Sequence, residues 1–345
     1  MRAILKTKPA VGVEPSNEYP EPEPGPDEVL VKVAATSICG TDAHVYVWDK
    51  SAQAFNPRLP IVLGHECAGS IVKLGSNVQG LAVGDHVAAE SHIFDGTCYM
   101  CRTGNAHNCE NMKLLGLTFD GAFATYVALP ASICFPLPKS LPLEIGALFE
   151  PSGVAVHAIQ RAGNLDGCSV LITGAGPIGL TLIQLAYVMG ATSVLALEPN
   201  PFRRKLAERY GARALDPREA DLPAIVRKDY ARHGGFDVGF EISAAPGTHQ
   251  VLLNAVRREG TVVCVGHPSE PISLDVAAYI SKKMIVLKGI FGRRIWDTWE
   301  ILLAMVESKQ LDLSDMITHR LGMDEFERGI ELLKGESAKV IISPN

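Results

Sequence analysis

Between the apolar run Val170-Leu-Ile-Thr173 and a helical pattern from Ile178 to Met189 lies Gly174-Ala-Gly176-Pro177-Ile178-Gly179. A chain passes from strand to helix this abruptly when the first glycine makes a tight turn, the second lets backbone approach a ligand and the third lets the helix lie close on the strand. The spacing predicts a βαβ unit that opens onto a dinucleotide. The helix N-terminus that Pro177 opens, with Ile178 as its first amide donor, offers N–H groups and a favourable dipole to a pyrophosphate. The next strand, Ser193-Val-Leu-Ala-Leu197, leads to Glu198, 19 residues after the last glycine. A carboxylate there accepts both adenosine ribose hydroxyls and repels a 2′-phosphate, so NAD is expected over NADP. Arg203, in the following helical stretch Pro201 to Tyr210, is expected to attract a 2′-phosphate, to stack on the adenine or to pair locally. Strands are expected at Phe236 to Ile242 and Thr261 to Val265, with Val265 and Gly266 as further cofactor contacts. Residues 153–293 therefore read as an α/β domain, a doubly wound parallel sheet of the Rossmann type.

The first half has a different texture. β-branched runs bounded by turn residues occur at 28–36, 61–74, 83–90 and 124–129, which predicts a mostly β domain. Two helical patterns, Asp297 to Lys309 and Met323 to Lys334, precede a strand-like Ala338 to Ser343 expected to return to that half. At 345 residues the chain has the length of two domains, read here as 1–152 with 294–345, and 153–293.

The β half carries metal-ligand chemistry. Cys39 in Ser37-Ile-Cys-Gly-Thr-Asp-Ala-His44, His65 and Glu66 in Gly64-His-Glu66, and Glu150 in Leu148-Phe-Glu-Pro-Ser-Gly153 offer a thiolate, an imidazole and two carboxylates from three separated segments. That set suits a catalytic zinc with an open position rather than a local finger. Thr41 and His44 lie two and five residues beyond the cysteine, placed to carry a proton away from an alcohol held at the metal. Glu66 either ligates the metal or orients His65. A lobe at 91–112 holds Asp95, Cys98, Cys101 and Cys109, the spacing of a closed structural zinc site with a carboxylate in the first position. His92, just before the lobe, is a candidate for lining a substrate cleft. Arg293, after Gly289-Ile-Phe-Gly292, is a candidate for the cofactor phosphates at an interdomain hinge. His86, His107, His157, His233, His249 and His319 are isolated and read as surface or satisfied core histidines, and Trp296 and Trp299 as packing residues.

Composition excludes other classes. The net charge is -6, and lysines and arginines are scattered without a basic stripe, so no nucleic-acid partner is expected. No apolar run reaches the 18 or so residues that span a bilayer and the N-terminus lacks a signal-like apolar core, so a cytoplasmic protein without a membrane partner is expected. The remaining cysteines, Cys67, Cys134, Cys168 and Cys264, sit in apolar surroundings and read as small core residues.

Taken together, Ile38-Cys-Gly-Thr-Asp-Ala-His44, Gly64-His-Glu66, the lobe at 95–109, Gly174-Ala-Gly-Pro-Ile-Gly-Leu180, Gly292-Arg293, Trp299 and Ile317-Thr-His-Arg320 make the chain resemble the zinc-containing medium-chain dehydrogenases over essentially its full length. Within them its motifs are most similar to those of L-threonine 3-dehydrogenases. The resemblance implies a GroES-like catalytic domain beside the Rossmann domain, and catalytic zinc at Cys39, His65 and Glu150 with Glu66 near or on it. It further implies a relay through Thr41 and His44, NAD on the glycine loop and Glu198, and a homotetramer. Hydride transfer from a small polar secondary alcohol to NAD is the implied reaction, with L-threonine the nearest single substrate and a polyol or sugar acid as the alternative. A non-catalytic NAD-binding protein is the remote alternative, since such a protein needs no zinc-ligand set. Two departures stand out. Where threonine dehydrogenases read Glu-Pro-Phe-Gly-Asn-Ala-Val-His-Thr, this chain has Glu150-Pro-Ser-Gly-Val-Ala-Val-His-Ala158, which makes Ser152 a candidate substrate contact. Asp95 replaces the usual first lobe cysteine.

Overall fold

Strands form where β-branched and apolar residues run between turn signals. The computed structural model, which describes residues 1–230 and 233–344, shows how each half of the chain closes its strands into a sheet. The chain divides into two compact units, Met1–Pro151 with Arg294–Trp299 and Leu313–Asn345, and Ser152–Arg293 with Glu300–Asp312.

In the first unit a seven-stranded sheet runs Cys134–Leu137, His86–Ala89, Glu66–Leu74, Glu28–Ser37, Lys339–Ser343 and Ile317–Gly322, with Tyr126–Pro130 also paired to Glu28–Ser37. Glu28–Ser37 is the hub: it pairs antiparallel with three neighbours, and most of its residues are buried. The last strand returns to this half, setting Ile341 opposite Ser37 and Ile342 opposite Thr36. The run expected over 61–74 is instead two strands, Ile61–Val62 and Glu66–Leu74. Gly64 causes the break, with φ +95 and no room for a Cβ, which would lie 2.8 Å from the Phe123 backbone nitrogen. The interruption leaves His65 at a turn and Glu66 at a strand start. Ile38, Val45, Leu63, Phe123, Phe326 and Val340 form the core beneath that turn. Trp299 is fully buried in a group with Phe135, Phe149 and Trp296, as expected of a packing residue, and its Nε1 donates to Glu90 Oε2 at 3.0 Å.

The second unit holds a six-stranded parallel sheet in the order Arg213–Leu215, Ser193–Leu197, Ser169–Thr173, Phe236–Glu241, Val256–Cys264, Val286–Gly289. Phe236–Glu241 is buried at all six positions, as a central parallel strand covered on both faces should be. Strand order reverses beside Ser169–Thr173, and a doubly wound sheet opens its ligand crevice at the carboxyl ends of the strands there. The helix Pro177–Val188 starts with proline at a position that needs no amide hydrogen, and Pro201–Arg209 is capped by Asn200, whose side chain accepts from the Phe202 and Arg203 amides at 2.9 and 3.3 Å. Residues 300–312 belong with this unit rather than with the remainder of 294–345. The Gln184 side chain ties Asp312 to the Pro177–Val188 helix from both sides, donating to its carbonyl at 2.9 Å and accepting its amide at 3.0 Å. Among the described residues no helix is long and apolar enough to cross a membrane.

The third glycine of the turn is where helix and strand come closest. A Cβ on Gly179 would stand 2.1 Å from the Gly174 carbonyl oxygen, a backbone atom with nowhere to go. Gly179→Ala should therefore cost about 1–3 kcal/mol, seen as a lower urea midpoint, whereas an unchanged midpoint would mean that the turn has slack.

Candidate active site

Cys39 sits immediately before the helix Gly40–Val47, in extended conformation with φ -99 and ψ 159. Three residues on, Asp42 reaches back and accepts the Cys39 amide at 2.8 Å, so one carboxylate anchors the backbone that carries the thiol. The other oxygen of Asp42 lies 3.6 Å from His65 Nδ1. Burial pushes the Asp42 carboxyl up to about 6 despite the opposing pull of His65. For His65, burial alone disfavours the charged ring, yet the Asp42 and Cys39 charges outweigh it and lift its pKa well above the ordinary 6.5. A ligated imidazole is neutral, so metal capture at this ring releases a proton.

Glu66 is fully buried. Its Oε2 accepts from Ser37 Oγ and from Lys339 Nζ, and Lys339, itself buried, also donates to the Ile38 carbonyl at 3.2 Å. Desolvation works against the Lys339 charge, but Glu66 and Cys39 outweigh it and raise the ammonium pKa above 10.5. Cys39, His65 and Glu66 each offer a ligand atom, all within 4.8 Å of one another. His65 Nδ1 and Glu66 Oε1 have no hydrogen-bond partner among the described residues. Buried polar atoms without partners are rare, and sulfur, nitrogen and oxygen donors converging in this way fit a zinc ion.

Glu150 stands outside that trio. It is buried in the first turn of the helix Phe149–Ala162, and its Oε1 accepts the Ser91 hydroxyl at 2.7 Å. Its charge still acts on His65 and Lys339. Thr41 and His44 are three residues apart on one face of the Gly40–Val47 helix, Thr41 half-buried and His44 exposed. His44 Nδ1 is bonded to Asp49 Oδ2 at 2.6 Å. Among the described residues no hydrogen bond links Thr41 to His44. His92 is buried with its amide on Glu90 Oε1 at 2.9 Å and its Nδ1 3.2 Å from the His107 carbonyl.

The lobe brings Asp95, Cys98, Cys101 and Cys109 within the same 4.8 Å limit. Cys98 Sγ lies 3.5 Å from Cys101 Sγ and 3.9 Å from Cys109 Sγ, and all eight cysteines are free. Asp95 accepts Asn111 Nδ2 at 2.6 Å and the Thr97 and Cys98 amides at 2.8 and 3.0 Å, which hold its carboxyl well below the usual range. The Cys101 and Cys98 thiols behave oppositely. Burial and the two neighbouring thiols push Cys101 up to about 12, whereas a backbone amide from Cys101 lowers Cys98. A cation at the centre would hold Cys101 as a thiolate against that rise, and the donor set of one carboxylate and three sulfurs fits zinc.

In the second unit a cavity of about 900 Å³ is lined by Gly174, Gly176, Pro177, Ile178, Glu198 and Arg203, among others. Gly174 has φ +97, and a Cβ on Gly176 would meet nothing within 4 Å, so that glycine leaves the backbone open to a ligand. Glu198 is held in place by the Ala175 amide at 2.7 Å and the Asn200 amide at 2.9 Å. Val265 and Gly266 are not among the lining residues: both amides bond the Glu241 carbonyl, at 2.8 and 3.0 Å. Arg293 is buried with its methylenes over Gly153, and Ser152 is buried with Oγ 3.4 Å from Thr181 Oγ1.

Residues 25–139 match the family described as the alcohol dehydrogenase GroES-like domain, and 177–308 the zinc-binding dehydrogenases. The L-threonine 3-dehydrogenase of Pyrococcus abyssi is 44% identical over 99% of this chain and 98% of its own length. The chain belongs to the zinc-binding dehydrogenase family. Solved structures of such dehydrogenases superimpose along its whole length. A Sinorhizobium meliloti protein, classed as a zinc-binding dehydrogenase and bound to NADP, is 30% identical with TM-score 0.89 over 99% of both chains. The 2R,3R-butanediol dehydrogenase of Bacillus subtilis is 29% identical with TM-score 0.87, over 100% of this chain and 99% of its own. As a member of this family the chain is an oxidoreductase that acts on a CH–OH group of a small molecule with a nicotinamide cofactor.

Asp42, Ser91 and Lys339 contact the expected ligands Cys39, Glu150 and Glu66 and escape sequence reasoning. Asp42 left a signal, an acid three residues after a helix-capping position; Lys339 left none. Replacing Lys339 with methionine strands Glu66 as a buried charge, so Lys339→Met should lose roughly 3–5 kcal/mol of stability. Lys339→Met with Glu66→Gln should recover most of it in chemical denaturation, and equal losses in the two variants would contradict the pairing.

Proposed function

We propose that this chain is an NAD-dependent secondary-alcohol dehydrogenase in which Cys39, His65 and Glu150 hold a catalytic zinc, with Glu66 near or on it, and L-threonine is the substrate. The observation that carries the reading is the convergence of Cys39, His65 and Glu66 at the start of the helix that also bears Thr41 and His44. When bound, zinc supplies Lewis acidity toward a hydroxyl oxygen and nicotinamide supplies a hydride acceptor. The protein moves the proton. Thr41 Oγ1 would accept it from the substrate hydroxyl as it gives up its own, which would pass through a bridging water to His44 Nε2 at the surface, the ring being held through Nδ1 by Asp49. His92 lines the substrate side.

The cofactor choice rests on Glu198. The Sinorhizobium relative holds NADP, so the fold alone does not decide. Here the carboxylate is anchored by two backbone amides beside the cavity and repels a 2′-phosphate, which favours NAD. The Pyrococcus relative supports threonine as the substrate. Of the three replacements after Glu150, Ser152 and Ala158 are buried in helix packing, which leaves Val154 as the one half-buried change. The butanediol relative keeps a diol or polyol as the competing substrate. A homotetramer implied by the family resemblance, a second zinc on the lobe donors Asp95, Cys98, Cys101 and Cys109, and a cytoplasmic location complete this reading.

NADH formation on L-threonine, 2,3-butanediol and a series of polyols separates the two substrates. Threonine should show the highest kcat/KM, and a higher value for a diol would overturn it. Cys39→Ser should lose one zinc per chain and about 10³-fold in kcat while still binding NAD; full activity with intact zinc would end the metal assignment. In the lobe, Asp95→Cys adds a softer ligand and should slow zinc release to a chromogenic chelator. Release at the wild-type rate would mean that Asp95 is not a ligand.

A further inference from the structure

Glu241 ends the strand Phe236–Glu241, fully buried, at the carboxyl end of the parallel sheet. Four donors converge on its Oε1: Thr173 Oγ1 at 3.2 Å, Ser243 Oγ at 2.8 Å, the Ala244 amide at 3.0 Å and Thr248 Oγ1 at 2.8 Å. Its Oε2 takes the same Ala244 amide at 3.2 Å and lies 3.9 Å from His249 Nε2. The donors come from two places. Thr173 immediately precedes Gly174 of the glycine turn, and Ser243, Ala244 and Thr248 belong to the segment that follows Glu241. Thr173, Ser243 and Thr248 all line the 900 Å³ cavity.

The surroundings are strained around this carboxylate. Ala244 has φ +52, a left-handed conformation that a side chain disfavours, and its amide is aimed at Glu241. A Cβ on Gly174 would touch Ser243 Cβ at 3.3 Å. One on Gly266 would meet the Ala244 nitrogen and Glu241 Oε2, each at 2.7 Å. A buried carboxylate and a left-handed alanine both cost stability, and neither is needed to close a parallel sheet. Together they hold one wall of the cavity against the glycine turn on the other.

We infer that Glu241 is a positioning residue for the dinucleotide: it fixes the 243–248 wall relative to Gly174, so that the cavity is formed before the cofactor arrives. The inference rests on the dinucleotide reading of the cavity given above. Glu241→Leu fills the volume but accepts no hydrogen bonds, and should weaken NAD binding about tenfold or more. Its KM for NAD should rise while kcat at saturating NAD, and the KM for the alcohol, stay near wild type. Glu241→Gln keeps an acceptor oxygen and should restore affinity to within a few-fold of wild type. The measurement is NAD affinity by titration calorimetry beside steady-state kinetics. If Glu241→Leu does not fold, Thr173→Val answers instead, since it deletes one donor and should raise the KM for NAD several-fold. Wild-type affinity in Glu241→Leu, or in Thr173→Val where that variant is the one used, overturns the inference. Wild-type protein that binds neither NAD nor ADP-ribose overturns the dinucleotide reading itself, and this inference with it.

Discussion

A fully buried carboxylate must be neutralised where it stands, and in the first unit Glu66 imposes that requirement on everything around it. Its partners come from far along the chain: Lys339 from the last strand, Ser37 from the central one. Ser37 is paired opposite Glu66 on one side and opposite Ile341 on the other, so the three residues sit on three adjacent strands. A one-residue slip of the last strand would turn the ammonium to the opposite face of the sheet. The ion pair thus fixes register, and register fixes the site. Cys39 follows Ser37 by two residues and His65 precedes Glu66 by one, so both ligands inherit their positions from the same alignment.

The second unit is organised by contacts of a different kind. At the carboxyl ends of its strands, backbone atoms come close at Gly179 over Gly174 and at Gly266 against Ala244. Only glycine permits them, and each brings a loop at the carboxyl ends of the strands closer to its neighbour. Glu241 gathers the remaining hydroxyls and an amide of that region onto one oxygen. In both units a buried carboxylate ties together segments that the sequence keeps apart.

Legibility in the sequence follows from this difference. The glycine turn, the strand before it and Glu198 after it could be read because their constraints are local: positive φ, close backbone approach and a fixed βαβ spacing. The lobe was legible for the same reason, its four donors lying within 15 consecutive residues. Cys39, His65 and Glu66 could be picked out as ligands, and the structure brings them together. Lys339 could not, because nothing near it in the sequence marks a lysine in an apolar strand as the counter-charge of a residue 273 positions away. The helix Phe149–Ala162 also escaped notice. It contains Pro151 and Gly153, but proline in the first turn removes no intrahelical bond and Gly153 makes room for the Arg293 side chain. Its first turn carries Glu150, and Ser91, which bonds Glu150, has no signature of its own.

Three carboxylates, Asp42, Glu66 and Glu150, act on the proposed metal site, and each is held by a different partner. Glu66 is bonded to Lys339, and Asp42 faces the His65 ring. On the proposed reading a dication then meets the thiolate of Cys39 and the carboxylate of Glu150, two negative charges against two positive. Glu66 would add a third negative charge there, but its Oε1 has no partner among the described residues while Oε2 holds Lys339, so facing the metal would not strip the buried ammonium of its counter-charge. Glu150 accepts a neutral hydroxyl from Ser91, a bond that contributes only about 1 kcal/mol. On the proposed reading Glu66 therefore keeps Oε2 on Lys339, where the strand register put it, whether or not its Oε1 faces the metal.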